Sequence, residues 1–186
     1  MLILSSKLKN TPIMGLQTGT QLALASEPLI NPANLQILAY QLEGPSLDNE
    51  VTLLRIADIR ELSKLGFIID SSDEFISPTD VIKINEIYNI NFQLLGMKVV
   101  DQKGSKLGTV ADYTLSLANF IVQQLIIKRP LLKSFNDPEL TVHRSQIIAI
   151  DDEKITIKNE TEVVKDTQTV KAEDTFTPNY VNPFRG

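Results

Sequence analysis

Leu94-Leu-Gly-Met-Lys-Val-Val-Asp-Gln-Lys-Gly-Ser-Lys-Leu-Gly-Thr-Val-Ala-Asp-Tyr113 opens the stretch that decides how this chain folds, and Ser145-Gln-Ile-Ile-Ala-Ile-Asp151 stands near its close at Lys158. Asp101-Gln-Lys-Gly104 has the polar residues and terminal glycine of a hairpin connection, because glycine reaches positive φ without steric cost. In the strand that follows, Leu107, Ala111, Tyr113, Leu115 and Leu117 are expected on one face. Val110, Asp112, Thr114 and Ser116 fall on the other, giving the period of two of a half-buried strand. The chain then turns at Asn119, and Phe120 to Ile127 is apolar except for Gln123 and Gln124. Such a run predicts a strand covered on both faces. Strand, hairpin, strand and closing segment together predict one small β-barrel.

The same residues carry a family resemblance. Leu95-Gly-Met-Lys-Val-Val, the turn, Lys106-Leu-Gly-Thr-Val-Ala-Asp-Tyr, the apolar strand ending Lys128-Arg-Pro, and Ser145-Gln-Ile-Ile-Ala-Ile resemble a PRC-barrel domain. That family takes its name from the photosynthetic reaction-centre H subunit, and the barrel also occurs in a ribosome-maturation factor, in sporulation-associated proteins and in archaeal proteins linked to cell division. The resemblance implies a non-catalytic docking module and supplies no catalytic residues to transfer.

The 186 residues suffice for one domain or two small ones, and 42% hydrophobic content supports a real core. A formal net charge of −5 argues against generic nucleic-acid binding, which needs a basic field. The absence of cysteine excludes disulfides and thiolate metal sites. Met1-Leu-Ile-Leu-Ser-Ser is too short and too poor in basic residues for a signal peptide, and no run approaches membrane-spanning length. A cytoplasmic location is therefore expected.

An internal repeat extends the reading to the whole chain. Gly15 matches Gly96 at an offset of 81; Leu22, Glu27, Ala33-Asn34 and Pro45 match Leu107, Asp112, Ala118-Asn119 and Pro130 at 85. Ile59, Leu62, Phe67 and Ile69 match Ile147, Ile150, Ile155 and Ile157 at 88. The expected fold is mainly β: two small PRC-type β-barrels in tandem, joined by a short helix, with a flexible C-terminal tail. Residues 1–70 form a degenerate N-terminal copy, 71–93 the linker, 94–158 the C-terminal barrel and 159–186 the tail. In the first copy Pro28 and Pro32 remove backbone donors, so that strand should sit at an edge or break early. Ala57 to Leu62 reads as a short helical turn. In the linker, Ser77-Pro-Thr-Asp80 is a helix start. Val81, Ile84, Ile87 and Tyr88 make one apolar side of that helix. The tail is poor in large aliphatics, which cannot offset ordering entropy. Its end, Thr177 to Gly186, is more aromatic and could serve as a docking motif.

Reaction chemistry is sparse. His143 is the sole histidine, so no histidine pair or cluster can form, and it reads as a rim residue. No Gly-x-Ser-x-Gly elbow is present. Asp151-Asp-Glu153 lacks the alternating spacing of a calcium loop and reads as a solvated turn. Glu27 and Asp112 hold matching places in the repeat and read as outward-facing. No enzymatic activity, cofactor or metal is expected.

Charge is uneven along the chain. Residues 1–90 carry net −5, residues 91–158 net +2 and the remainder net −2. In the basic copy, Lys128, Arg129, Leu131, Leu132 and Lys133 form a connection that mixes cations with aliphatics. Leu131 and Leu132 would supply desolvated contact area, while the three cations would steer a protein partner with an acidic surface. The rival readings are a solvated connection and one whose leucines fold back to cap the barrel's open end. A cytoplasmic adaptor is the function this implies; the alternative is an accessory role in ribosome assembly or rRNA maturation, with a ribosomal protein as partner.

Overall fold

The computed structural model describes residues 1–45, 47, 50–130, 138–158 and 179–180. It is mainly β, with one α-helix among the described residues, and its contacts divide into two units. Unit 1 comprises Met1–Asn31, Leu35–Phe92 and Leu115–Ile121; unit 2 comprises Pro32–Asn34, Gln93–Thr114 and Val122–Gly186. The main break thus lies one residue before the expected start of the second copy, and the helix expected as a linker belongs to unit 1.

Unit 1 holds β1 (Leu2–Leu4), β2 (Pro12–Gly15), β3 (Thr20–Asn31), β4 (Gln36–Glu43), β5 (Leu53–Arg55), β6 (Glu61–Ser63), β7 (Gly66–Ile69), β8 (Phe75–Ile76) and α1 (Ile82–Ile90). Hydrogen-bonded neighbours run β6-β7-β2-β3-β4-β5-β8. β2 and β7 are parallel, whereas β6 with β7 and β2 with β3 are antiparallel. Apart from the residues around 115–121 that count with unit 1, the second unit is built from β9 (Lys98–Asp101), β10 (Lys106–Ser116), β11 (Ile121–Lys128), β12 (Glu139–His143), β13 (Ile147–Ile150), β14 (Lys154–Ile157) and β15 (Asn179–Tyr180). Its order is β15-β13-β14-β9-β10-β11-β12, with β9 parallel to β14. Neither path closes: among the described residues no ladder joins β8 to β6, or β12 to β13 or β15.

The two units therefore share one pairing order, and the match holds residue by residue. Leu62 faces Phe67 in unit 1 and Ile150 faces Ile155 in unit 2, an offset of 88 at both places. The bulge that sets Ile13 and Met14 against Ala23 and Gln21 recurs where Val99 and Val100 meet Gly108 and Lys106. A bulge sharpens strand twist, so the same bend is built into both copies. Leu35 and Phe120, 85 residues apart, both have positive φ, 59° and 53°. Their amides donate to the carbonyls of Asn31 and Ser116 at 2.7 and 2.8 Å. The left-handed region is unfavourable for a large side chain; here both side chains are buried in return, which contributes roughly 1.5–3 kcal/mol each.

Turn chemistry explains where the strands end. Asp101 is buried, and its Oδ1 accepts from the Lys103 and Ser105 amides at 2.9 and 2.8 Å. Gly104 has φ 80° and donates to the Asp101 carbonyl, so the expected hairpin connection is present. In unit 1 the corresponding connection is closed by the Gly19 amide on the Gly15 carbonyl at 2.9 Å. Ser77 and Asp80 form a reciprocal capping box around the 3-10 turn Pro78–Asp80, with the Ser77 amide donating to the Asp80 carboxylate at 2.7 Å. That cap starts the turn, not α1, which begins after extended Val81. Ile84 and Ile87 are buried, Ile84 against Ala39 and Leu53, while Val81 and Tyr88 are half-buried. Asn91 ends the helix at φ 52°.

Several expectations differ from what is observed. β3 runs unbroken for 12 residues, so the expected early break does not occur; β2 pairs with it only from Thr20 to Leu24, and from Pro28 on its ladder partner among the described residues is β4 alone, the edge position expected. Pro28 is accommodated because it sits at a register shift beyond the part of β3 that β2 covers, and Pro32 follows the strand. The alternation in β10 changes phase: Val110 is buried and Ala111 exposed, then Tyr113 and Leu115 are buried. Unit 1 shows its register shift at the matching place, between Ala25 and Pro28, and such an irregularity inverts every side chain beyond it. β11 buries Val122, Leu125 and Ile127, but Ile121 and Ile126 are only half-buried. The helical turn expected from Ala57 is a 3-10 turn at Ile56–Asp58, and β6 takes up the rest. Gly15 lies opposite Ile69 and Asp101 opposite Ile157, so Asp101, not Gly96, is the counterpart of Gly15. Of the tail, Asn179–Tyr180 pairs in parallel with β13, opposite Ala149 and Ile150. The remaining tail residues, on which the flexibility expectation falls, lie outside the described residues.

Candidate functional site

The base of the basic connection is a regular antiparallel ladder. Lys128, the last residue of β11, faces Glu139 of β12 and is exposed. One residue on, the Arg129 amide donates to the Pro138 carbonyl at 3.0 Å, so the chain leaves and re-enters the ladder at neighbouring points. Arg129 and Pro130 are half-buried. Leu131, Leu132 and Lys133 lie outside the described residues. Gly108 is what lets β10 run so close to this base: a Cβ there would sit 2.2 Å from the Lys128 carbonyl oxygen.

The structure also holds a concavity that the sequence does not reveal. Unit 1 holds an open cleft of about 640 Å³ lined on one wall by Ile56, Ile59 and Leu62 and on another by Ile37, Leu117 and Phe120. Phe120 in turn meets buried Phe67 in a tilted ring contact, centroids 6.2 Å apart, and Phe67 meets Tyr40 in another at 5.6 Å. The usable signal was the Leu117 to Phe120 turn, where two large apolar residues bracket Ala118-Asn119.

Charges around the cleft are mostly paired. Arg60 makes a two-pronged pair with the Asp70 carboxylate, and that hydrogen bonding holds the Asp70 carboxyl below its ordinary value. Arg55 grips Asp58 in the same way at 2.6 and 2.7 Å. Burial raises the Glu74 carboxyl. Glu61 is exposed on β6 and makes no ion pair among the described residues.

The other sequence candidates are dispersed. His143 is exposed, with Nδ1 2.8 Å from the Ser145 hydroxyl and its amide donating to Gln146 Oε1 at 2.8 Å. It thus anchors the 3-10 turn Arg144–Gln146 before β13. Asp151 Oδ1 accepts from the Glu153 and Lys154 amides, both at 2.9 Å, which makes the acidic triplet a hairpin turn. Glu27 is exposed and pairs with Lys9 at 2.9 Å. Asp112 is half-buried and accepts from the Tyr113 amide at 2.7 Å. Among the described residues no three His, Asp or Glu side chains gather where they could hold a metal ion. No described helix is long and apolar enough to cross a membrane.

No protein-family model matches the chain, and no curated protein matches it in sequence.

Proposed function

We propose that this protein is a non-catalytic docking module of the PRC-barrel type, made of two copies of one small barrel, and that it acts in the cytoplasm as an adaptor for a protein with an acidic surface. The recurrence of one pairing order in both units carries the reading. Two copies whose bulge, hairpin tip and closing hairpin coincide at fixed offsets are what duplication of a single module leaves behind. Matched burial supports the reading: Ile13, Phe67 and Ile69 in the first copy and Val99, Ile155 and Ile157 in the second are fully buried.

The docking surface in this reading is the basic connection after β11. Lys128 is exposed at its base, Arg129 and Lys133 add charge, and Leu131 and Leu132 supply apolar contact. Capture of partners by the full chain, followed by affinity measurement on the protein recovered, tests this. The triple change Lys128→Glu, Arg129→Glu, Lys133→Glu is expected to weaken binding tenfold or more, about 1.4 kcal/mol, and to abolish its salt dependence. Unchanged affinity would overturn the site. Ribosomal proteins as the captured set would favour a role in ribosome assembly instead.

A further inference from the structure

β6 and β13 are counterparts, yet only one of them carries a neighbour on its outer edge. β13 is flanked by β14 on one side and by the parallel strand Asn179–Tyr180 on the other. β6 is flanked by β7 alone among the described residues and ends the unit 1 path. An unpaired edge presents a row of backbone donors and acceptors ready to accept another strand. Burial follows the same division. Ile150 is fully buried, whereas its counterpart Leu62 remains half-exposed.

Two further features sit at that edge. Leu62 lines the open cleft together with Ile56, Ile59, Leu117 and Phe120, so an added strand would find apolar surface for one of its side chains. Beside it Glu61 is an exposed carboxylate without an ion pair among the described residues, while Arg60 and Arg55 are each committed to a carboxylate. The surrounding sequence, residues 1–90, is acidic by net −5. Strand addition draws affinity from the backbone and specificity from alternate side chains.

We propose that the edge of β6 and its cleft bind an extended peptide from a partner protein, added in parallel, with an aromatic or aliphatic residue opposite Leu62 and a basic residue reaching Glu61. The register is the one β13 displays, in which Ala149 faces Asn179 and Ile150 faces Tyr180; Glu61 and Leu62 occupy the matching positions at an offset of 88. This rests on the docking-module reading but uses a different surface from the basic connection. The chain's own C-terminal segment is tethered beside β13, where it has high effective concentration, which leaves β6 for a strand delivered by another molecule.

A synthetic decapeptide with the sequence of residues 177–186 carrying Asn179→Arg, which sets a cation opposite Glu61 and keeps Tyr180 opposite Leu62, serves as probe against the full chain, read by residue-resolved amide exchange. The expected result is saturable slowing of exchange at Glu61–Ser63. Leu62→Lys should abolish it, and Glu61→Lys, at an exposed position that does not test folding, should weaken it tenfold or more. Slowing confined to Ala149 and Ile150, no slowing at β6 up to about 1 mM peptide, or an unchanged affinity in Glu61→Lys would each overturn the proposal. None of these results bears on the affinity lost by charge reversal after β11, so the two readings fail separately.

Discussion

Each unit needs one glycine where two backbones nearly touch, but the two glycines guard different ladders. In unit 1 Gly66 has φ 130°, and a Cβ there would lie 2.1 Å from the Pro12 carbonyl oxygen, between parallel β7 and β2. In unit 2 a Cβ on Gly108 would lie 2.2 Å from the Lys128 carbonyl oxygen, at the end of β11. Their counterparts are Lys154 and Ala23, which both carry side chains. The same topology therefore tolerates the tight approach at either place. What both units keep is register: the bulge, the left-handed hairpin residue and the closing hairpin, none of which depends on residue identity.

The largest effect should come from reversing that exchange. Gly66→Val and Gly108→Val each force backbone to move and are expected to cost on the order of 4 kcal/mol. Ala23→Gly, at the position matching Gly108, should cost only about 1 kcal/mol. Urea unfolding of the three variants checks the ranking. Similar small losses in all three would mean that the close approaches do not separate the units.

Next in size is the position where the units agree. Leu35→Ala and Phe120→Ala leave the left-handed backbone occupied by a side chain while emptying a buried site. Losses of about 3 and about 4 kcal/mol are expected. A loss confined to one of them would break the equivalence of the hairpin tips.

The smallest expected effect sharpens a difference in turn chemistry. Hydrogen bonds from the Ser105 amide first, and then Lys103, hold the Asp101 carboxyl below its ordinary value of 3.8. A depressed carboxylate contributes stability that is present above the unfolded value and is lost as pH falls through the folded one. Its counterpart in unit 1 is Gly15, with no carboxylate to titrate. Asp101→Asn should therefore lower stability at neutral pH and flatten the acid side of the stability profile below about pH 4. Retention of the full acid dependence in the variant would assign it to other carboxylates.

Most of what was legible in the sequence lay in turns. Asp101-Gln-Lys-Gly104 and the paired Ala33-Asn34 and Ala118-Asn119 mark connections that the structure confirms, because turn residues are chosen by local backbone geometry. The offset of 88 survives in the closing hairpin because Phe67 and Ile69 in unit 1, and Ile155 and Ile157 in unit 2, are each fully buried within their own unit. Misreadings came where nonlocal pairing decides. The Gly15 to Gly96 match followed residue identity, whereas the parallel ladders set Gly15 against Asp101. The residues of β10 read as a regular alternation, and the phase change near Ala111 has no marker in the residues themselves. Pro28 looked disruptive because nothing local says that β2 stops short of it. The unit 1 cleft was invisible for the same reason: its walls come from segments as far apart as Ile37, Leu62 and Phe120.

The central claim is that one module occurs twice, and residue-resolved amide exchange on the full chain tests it most directly. Matched strands should protect alike: β7 with β14 and β2 with β9 among the slowest amides in each unit, and the tips at Leu35 and Phe120 protected together. Protection throughout one set of strands, with the counterparts exchanging like an unfolded chain, would contradict the claim.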